Sequence, residues 1–490
     1  MATDHGMNGT ARLNGRWQRS KDAPSGDHHP ASAATEQPAA LIARLRARKS
    51  AHDAEIDNTR ASPGGSSTAL SQTTLDAPVP QRPEVGALPA ARALQLQRAA
   101  LAACGLENPF FRRHEGPPAA TGIIDGTERL SFTSYDYLGL NAHPAARAAA
   151  AAAAERDGIS AGASRLVGGE RAVQRALEGR LASLYDAEDA VAMVSGHATN
   201  VTAIGTLMGP GDLILMDALA HNSVHEGARL SGASRRLFPH NDLARLEGLL
   251  EAERPRHKQA LIAVEGLYSM DGDSPDLASL IAIARRHGAW LMVDEAHSLG
   301  VLGATGRGLA EAQGIDPGEV DLWMGTLSKT LGASGGYLAG SAALIDLMRH
   351  TAPGFVFSVG LSPPIAAAAA SAVDLMLAEP WRVERLQATG ARFVARASAT
   401  GLDTGPATGH AVIPVMLGSS LKAVALSQRL FEAGIDAAPI VHPAVPENAA
   451  RLRFFITARH APEEIDHAVD TTARLVEGLD DWVSSRLGAA

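Results

Sequence analysis

The sequence predicts an α/β protein with a largely parallel sheet and a smaller C-terminal α+β domain. From Gly169 onward, helical segments alternate with short apolar strands, and after about Pro380 the pattern changes to helices with short strands. Three of the apolar segments end in polar residues: Leu261 to Gly266, Trp290 to Glu295 and Asp321 to Thr326. Because ligands of open α/β sheets bind outside the carboxyl ends of the strands, we expect the chemistry there.

The chain divides into four predicted segments. These are a disordered tail at 1–88, a helical and strand segment at 89–168, a large domain at 169–379 and a small domain at 380–490. The tail has Trp17 as its only aromatic residue, so it cannot bury enough apolar surface to offset its chain entropy. A short amphipathic helix is predicted around Leu41 to Lys49, either as part of a linker or as a docking helix for a partner.

Composition excludes several classes of function. A formal net charge of -9 over 490 residues argues against nucleic acid as a partner, because phosphate binding relies on clustered Lys and Arg. Cys104 is the only cysteine, which excludes intrachain disulfides and Cys-based zinc clusters and is ordinary in the cytoplasm. No transmembrane segment and no metal site are predicted. The alanine-rich stretch from Ala145 to Ala154 is too short to span a bilayer and predicts a packed helix.

The strongest local signal is VDEAHSLG, from Val293 to Gly300. In it Asp294 ends a buried apolar strand and His297 follows three residues later. A carboxylate at such a position is costly to bury without a cationic partner. The plainer alternative is an aspartate that caps the next turn.

The second signal is TLSK, from Thr326 to Lys329, again at the end of an apolar strand. A glycine-rich segment, Gly332 to Gly336, follows it. A lone lysine in that place is usually solvated, but Lys329 lies one αβ unit after Asp294, so both side chains can reach the same strand-end crevice. Pyridoxal phosphate requires this pair: an amine that binds it covalently and an anion that keeps its pyridine nitrogen protonated.

From about Asn108 to Val476 the sequence resembles the α-oxoamine synthases. This fold-type I pyridoxal-phosphate family includes 8-amino-7-oxononanoate synthase, glycine C-acetyltransferase, 5-aminolevulinate synthase and serine palmitoyltransferase. The motifs that carry the resemblance, besides the two above, are SYDYLGL (134–140), SGHATN (195–200), DALAHNS (217–223), EGLYSMDGD (265–273) and HPAVPENAARLRFFIT (442–457). Among its members, the chain looks most like the serine palmitoyltransferase-like synthases that accompany polyketide pathways.

The resemblance implies an acyltransferase. Its reaction would be the decarboxylative condensation of glycine, alanine or serine with an acyl thioester, to give an α-aminoketone. The acyl donor would be acyl-CoA or an acyl carrier protein, the cofactor pyridoxal 5'-phosphate and the assembly a homodimer. An aminotransferase of the same fold and a non-catalytic family subunit are the alternatives.

The resemblance also implies roles for single residues around the cofactor. Lys329 would bind the cofactor and later remove the α-proton of the amino acid. Asp294 would pair with the pyridine nitrogen, His297 would contact the phenolic oxygen, and His221 would stack on the pyridine ring.

The phosphate and the substrate carboxylate have their own implied ligands. The phosphate would be held by Gly196, His197, Ser269 and Thr326, and Ser358 would reach the phosphate of the partner subunit. The substrate carboxylate would be bound by Arg453, whereas Arg451 would make a structural ion pair.

Four positions depart from the family pattern. His197 replaces a Phe or Tyr, and Val359 stands where Thr is frequent. Gln174 stands where His is frequent, and Tyr135 lies near a position that is often Asn. The last two predict a changed preference for the acyl group or the amino acid.

Overall fold

The computed structural model describes residues 82–487. The predicted tail at 1–88 therefore falls largely outside the described residues, as does all of the predicted helix around Leu41 to Lys49. The described part begins with a short 3-10 helix at Val85–Ala87.

Fourteen strands occur in the described residues. They are β1 (His114–Glu115), β2 (Thr121–Ile124), β3 (Thr127–Ser131), β4 (Asp189–Met193), β5 (Leu213–Asp217), β6 (Ser234–Phe238), β7 (Ala260–Glu265), β8 (Trp290–Asp294), β9 (Leu322–Thr326), β10 (Gly336–Gly340), β11 (Val412–Met416), β12 (Ile435–Asp436), β13 (Ala438–Ile440) and β14 (Arg451–Phe455).

Fifteen α-helices occur in the same part of the chain. They are α1 (Pro89–Ala103), α2 (Pro144–Asp157), α3 (Ala172–Leu184), α4 (Gly196–Leu207), α5 (Asn222–Ser231), α6 (Leu243–Glu253), α7 (Leu277–Arg286), α8 (Leu309–Gln313), α9 (Ala342–Thr351), α10 (Pro353–Val356), α11 (Pro363–Ala378), α12 (Trp381–Ala399), α13 (Ser420–Glu432), α14 (Pro462–Glu477) and α15 (Leu479–Leu487).

A seven-stranded sheet with the order β4-β10-β9-β8-β7-β5-β6 forms the centre of the structure. Strands β9, β8, β7, β5 and β6 run parallel, and β10 is antiparallel to both of its neighbours, β4 and β9. Every residue of β5, β7 and β9 is buried, because helices cover both faces of the sheet. The predicted α/β class is confirmed, and β7, β8 and β9 are the three strands expected from the sequence.

Two smaller sheets contain the strands of the C-terminal part of the chain. One is antiparallel with the order β11-β14-β13, and the other has the order β1-β2-β3-β12, in which β12 pairs in parallel with β3. The smaller C-terminal domain is thus confirmed. Since β3 precedes the large sheet in sequence, its pairing with β12 joins the early segment to this later part of the chain. The four-segment division itself stays a prediction.

The alanine-rich stretch forms α2 and packs against α11, as predicted. Ala146 and Ala153 are buried, and their small side chains allow the two helices to approach closely. None of the helices in residues 82–487 is both long and apolar enough to cross a membrane.

A buried ion cluster joins the π-helical turn at Arg165–Gly169 to α3. The side chains of Arg165 and Glu178 are each only 2% exposed, and Arg165 Nη2 donates to Glu178 Oε2 at 3.0 Å. Arg165 Nε also donates to Glu170 at 2.6 Å, and Glu178 accepts the backbone N–H of Ala192 in β4 at 2.8 Å. The cluster therefore fixes this turn and α3 to the first strand of the large sheet.

We expect Glu178→Ala to lower the free energy of unfolding by about 3–5 kcal/mol, because it leaves the buried Arg165 charge with weaker compensation. The matched control is Asp374→Ala, which breaks the exposed Arg180–Asp374 pair (2.8 Å) and should cost about 0–1 kcal/mol. Urea denaturation of the three proteins measures the difference, and equal losses for both variants would contradict the assignment.

Candidate active site

The site lies where three neighbouring strands end. Glu265 ends β7 and faces Asp294 at the end of β8, and Thr326 ends β9. These strand ends open into a cavity of about 350 Å³. Nine of the ten predicted site residues line it: Gly196, His197, His221, Ser269, Asp294, His297, Thr326, Lys329 and Arg453.

Lys329 is the amine of the cavity. It has no carboxylate within ion-pair distance among residues 82–487, and its Nζ lies 5.9 Å from the centre of the Tyr135 ring. Burial lowers the pKa of Lys329 from 10.5 to about 8, although the negative charges of Asp294 and Glu265 oppose the shift. A neutral amine, which is the nucleophilic form, is therefore accessible near neutral pH.

Asp294 is 4% exposed and is held by neutral donors. Its Oδ2 accepts a hydrogen bond from Asn200 Nδ2 at 2.8 Å, and its Oδ1 accepts one from the backbone N–H of Ala296 at 2.9 Å. It makes no ion pair with a side chain in the described part of the chain. This carboxylate is thus oriented but left without a cation, the state that a protonated pyridine nitrogen would complete.

Asn200 also fixes His221. Its Nδ2 donates to Ser223 Oγ at 2.9 Å, so the Ser223 hydroxyl hydrogen is free to be donated to His221 Nδ1, 2.7 Å away. A ring that accepts at Nδ1 carries its proton on Nε2. Burial lowers the pKa of His221, which favours this neutral form. The Asn200 amide therefore fixes the orientation of both the Asp294 carboxylate and, through Ser223, the His221 imidazole.

His297 is held neutral in a similar way. Its Nδ1 lies 2.7 Å from the hydroxyl of Tyr137, and its ring stacks against Phe455 with centroids 6.3 Å apart. Burial lowers the pKa of His297 well below its ordinary value and raises that of Tyr137, so the phenol keeps its proton and can donate it to Nδ1. The Nε2 hydrogen of His297 is then available to an acceptor in the cavity.

An anion cradle lies at the start of α4. Ser195 caps this helix by accepting the N–H of Ala198, and the helix begins at Gly196. A Cβ at Gly196 would come within 2.8 Å of Thr326 Oγ1, and one at Gly336 would come within 2.6 Å of the Gly196 Cα. Only glycines allow β10, β9 and the helix N-terminus to meet so closely, with free N–H groups beside a hydroxyl.

Arg453 brings a second cation into the cavity from β14. It is 9% exposed, its Nη1 donates to the Ser269 carbonyl at 2.9 Å, and its guanidinium lies 4.5 Å from the centre of the Phe455 ring. Its Nε has no hydrogen-bond partner among the described residues. Arg451 pairs instead with Asp271, as predicted for a structural arginine. Arg453 is thus a buried cation available to an anionic ligand.

These observations fit pyridoxal phosphate. The amine, the carboxylate without a cation and the glycine cradle correspond to the three groups by which the cofactor is held: its aldehyde, its pyridine nitrogen and its phosphate.

Two residues singled out from the sequence lie outside the cavity. Ser358 borders a separate small pocket, and its hydroxyl makes a 3.4 Å contact with the Val359 carbonyl. Gln174 is fully buried, and its Nε2 donates to the Leu361 carbonyl at 2.7 Å. Gln174 is therefore a packing residue of α3 and does not adjoin the cavity as expected, whereas the role of Ser358 towards a partner subunit stays a prediction.

Sequence reasoning missed four side chains of the site: Tyr137, Asn200, Ser223 and Glu265. Glu265 lines the cavity, one of its carboxyl oxygens has no hydrogen-bond partner in residues 82–487, and burial and Asp294 raise its pKa to about 8. Its position at a strand end, like that of Asp294, was a usable signal. The pairing of Asn200 with Asp294 joins residues 94 apart in sequence and leaves no local pattern.

Comparison with known proteins agrees with this geometry. The profile of the family described as aminotransferase class I and II matches residues 127–471. An 8-amino-7-oxononanoate synthase of Beijerinckia indica is 44% identical over 354 residues, which cover 72% of this chain and 89% of that protein. One from Geobacter metallireducens is 41% identical over 375 residues, 75% of this chain and 94% of the relative. The chain belongs to the α-oxoamine synthase family.

Solved structures of serine palmitoyltransferases are similar in fold. That of Sphingomonas wittichii superposes with a TM-score of 0.77 at 29% identity, covering 81% of this chain and 99% of the other. That of S. paucimobilis, solved with PLP and myriocin bound, gives a TM-score of 0.77 at 28% identity and covers 81% and 100%. The predicted family, fold-type I architecture and cofactor are therefore confirmed. The chain is a pyridoxal-phosphate-dependent acyltransferase that condenses an amino acid with an acyl thioester.

The lowered pKa of Lys329 predicts how cofactor loading depends on pH. The amine reacts as the free base, so the rate at which cofactor-free protein regains its visible absorbance should rise with pH and reach half its maximum near pH 8, well below the ordinary 10.5. Stopped-flow absorbance between about pH 6 and 10 measures it. Lys329→Ala should not develop the absorbance of the covalent lysine adduct, and the control Lys258→Ala should show an unchanged profile. A half-maximum near the ordinary lysine value would refute the assignment.

Proposed function

We propose that the enzyme condenses glycine, alanine or serine with an acyl-CoA or an acyl carrier protein thioester, releases carbon dioxide and forms an α-aminoketone. The observation that carries this proposal is the set of three charges around one cavity: the Lys329 amine, the Asp294 carboxylate and the Arg453 guanidinium. A scaffold or binding protein has no need to bury such a set.

Bound pyridoxal phosphate would supply an electron sink for the electron pair left on the α-carbon when its proton is removed. Lys329 would first hold the cofactor and then, released by the amino acid, remove that α-proton. Its lowered pKa suits both tasks, because the free base is the nucleophile and the proton acceptor. Asp294, oriented by Asn200, would stabilise the proton on the pyridine nitrogen.

The neighbouring side chains would position the reactants. His221 would cover one face of the pyridine ring and exclude water from it, and the Nε2 hydrogen of His297 would be donated to the phenolic oxygen. Gly196, His197, Ser269 and Thr326 would surround the phosphate. Arg453 would bind the substrate carboxylate, for which its planar guanidinium at the cavity is suited.

The acyl donor is the open part of the substrate assignment. The named relatives do not agree on one reaction, since the similar sequences include 8-amino-7-oxononanoate synthases and the similar structures include serine palmitoyltransferases. A carrier-protein donor remains a proposal that rests on the likeness of the sequence to polyketide-associated synthases. The cytoplasm remains our proposed location, for which the single, buried Cys104 is the supporting observation.

The decisive test is an assay of the holoenzyme with each of the three amino acids and with short- and long-chain acyl thioesters, on coenzyme A and on a carrier protein. We expect carbon dioxide and an α-aminoketone from one preferred pair. Arg453→Ala should raise KM for the amino acid by about a hundredfold, because a buried charge-assisted contact is lost, whereas Arg396→Ala, on an exposed pair with Asp470, should have no effect.

Other outcomes of that assay have distinct meanings. Amino-group exchange with a keto acid and no carbon dioxide would indicate an aminotransferase. A protein that binds no cofactor and gives neither product would indicate a non-catalytic subunit.

We also propose a homodimer. Two segments, 159–167 and 356–362, are joined by hydrogen bonds such as Ser164 Oγ to the Val356 carbonyl at 2.6 Å. Their apolar side chains are unusually exposed: Ile159 81%, Leu166 50%, Val167 84%, Phe357 87% and Val359 48%. We call this surface the 159/357 patch. Contiguous apolar surface of this kind is typical of subunit interfaces, and Ser358 lies within it, as its predicted role towards a partner's phosphate requires.

The dimer makes a specific prediction for the 159/357 patch. Sedimentation should give about twice the chain mass of 50.8 kDa for the native protein, and Val167→Asp should give monomers because it places a charge in the apolar interface. The control is Leu230→Asp, which should remain a dimer because this side chain is 67% exposed and lies outside the patch. A native monomer, or an unchanged Val167→Asp dimer, would contradict the proposal.

A further inference from the structure

One loop of the site connects the large sheet with the C-terminal sheet. It runs from Gly266 to Asp273, follows β7 and carries Ser269 and Met270 at the cavity. The loop is closed on itself by backbone hydrogen bonds between Tyr268 and Asp273 at 2.8 Å and between Gly272 and Tyr268 at 2.9 Å. We call it the 266–273 loop.

On one side, the 266–273 loop is held by the antiparallel sheet of the C-terminal domain. Arg453 donates to the Ser269 carbonyl at 2.9 Å, and Arg451 donates to the Met270 carbonyl at 3.1 Å. Gly272 has φ +73°, and a Cβ there would lie 2.1 Å from the Val412 carbonyl of β11. The place of the Arg453 guanidinium in the cavity therefore depends on where this loop lies.

On the other side, the loop is held by a histidine between two carboxylates. His240 Nδ1 lies 3.0 Å from Asp217 Oδ1 at the end of β5, and its Nε2 lies 2.9 Å from Asp273 Oδ2 at the end of the loop. A carboxylate can only accept, so both contacts are hydrogen bonds only when both ring nitrogens carry protons. His240 is thus an imidazolium that bridges two anions.

Burial disfavours this charge, but the hydrogen bonds and charges of Asp217 and Asp273 outweigh it and raise the pKa of His240 to about 10. The neighbours strengthen the bridge. Asn241 donates through its backbone to Asp217 at 2.9 Å and through its side chain to Asp273 at 2.9 Å, and Tyr268 packs its ring against His240 with centroids 4.3 Å apart.

We propose that His240 is a positioning residue for the amino-acid substrate: by joining Asp217 to Asp273 it holds the 266–273 loop in place, and through the Ser269 carbonyl it sets the position of Arg453. This rests on the proposed role of Arg453 as the ligand of the substrate carboxylate. His240 does not line the cavity and acts only through the loop.

A metal site is the competing explanation of the same side chains. His240, Asp271 and Asp273 are the one trio in residues 82–487 whose ligand atoms lie within 4.8 Å of one another. However, Asp271 is paired with Arg451, and both nitrogens of His240 face carboxylates. The imidazolium supplies the positive charge that a cation would bring, and a doubly protonated ring has no lone pair for a metal.

The test compares His240→Gln with the native holoenzyme, using the preferred amino acid and acyl thioester found in the assay above. We expect KM for the amino acid to rise about tenfold, while kcat and KM for the thioester change less than about twofold. Titration of the bound cofactor's visible absorbance with the same amino acid should show the same weakening without turnover. His240→Arg, which retains a cation between the two carboxylates, should restore part of the affinity.

The control is His287→Gln, which removes a histidine 3.5 Å from Glu247 and away from the cavity and should leave every constant unchanged. Unchanged amino-acid affinity in His240→Gln, an equal loss in all constants, or activity that depends on added zinc or magnesium would overturn the proposal. If His240→Gln is not recovered folded, Asp273→Asn carries the same expectations. A native enzyme without product would refute the proposed function, whereas an active native enzyme with an indifferent His240→Gln would refute only this inference.

Discussion

The whole site is organised around a carboxylate that its own chain leaves without a cation. Asp294 sits at the buried end of β8, where an isolated charge is expensive, and in the described residues its hydrogen bonds come from an amide and a backbone N–H. Such an arrangement is tolerable because two good hydrogen bonds recover part of the lost hydration. A positively charged ring placed against Asp294 would therefore restore the remaining stabilisation that the carboxylate loses on burial.

Two histidines at the cavity are likewise held by neutral hydrogen-bond partners. His221 and His297 each have their protonation fixed by a neutral hydroxyl, Ser223 or Tyr137, and burial keeps both rings uncharged. Had either ring been paired with a carboxylate, it would have become a cation and would have competed with the pyridine for Asp294. His240 shows this contrast within the same molecule, because two carboxylates make it an imidazolium. A hydroxyl partner thus leaves the two rings at the cavity neutral, whereas carboxylate partners give the ring that fixes the loop a positive charge.

The strands, and with them most of the site, were predictable from the sequence. Apolar runs that end in polar residues locate β7, β8 and β9, and parallel strands of one sheet bring their carboxyl ends together, so Asp294 and Lys329 had to meet. What escaped prediction were pairings between distant segments. The contacts from Asn200 to Asp294 and from His240 to Asp273 depend on side-chain geometry at the ends of different elements, which no local spacing encodes. Gln174 was misplaced for the same reason, since its contact is with Leu361, far along the chain.

Arg453 brings a strand from the late part of the chain to a site whose other charged groups lie on the large sheet. The amine and the carboxylate belong to the large sheet, but the guanidinium comes from β14 of a separate antiparallel sheet. A substrate held by both would be oriented only as accurately as the two sheets are fixed to each other, and small errors in such geometry are costly to catalysis. The 266–273 loop touches both sheets, since His240 ties it to β5 and the Ser269 carbonyl ties it to β14. The directional hydrogen bonds of this loop therefore fix the position of Arg453 relative to the large sheet. Packing of apolar faces alone is non-directional and would not fix it.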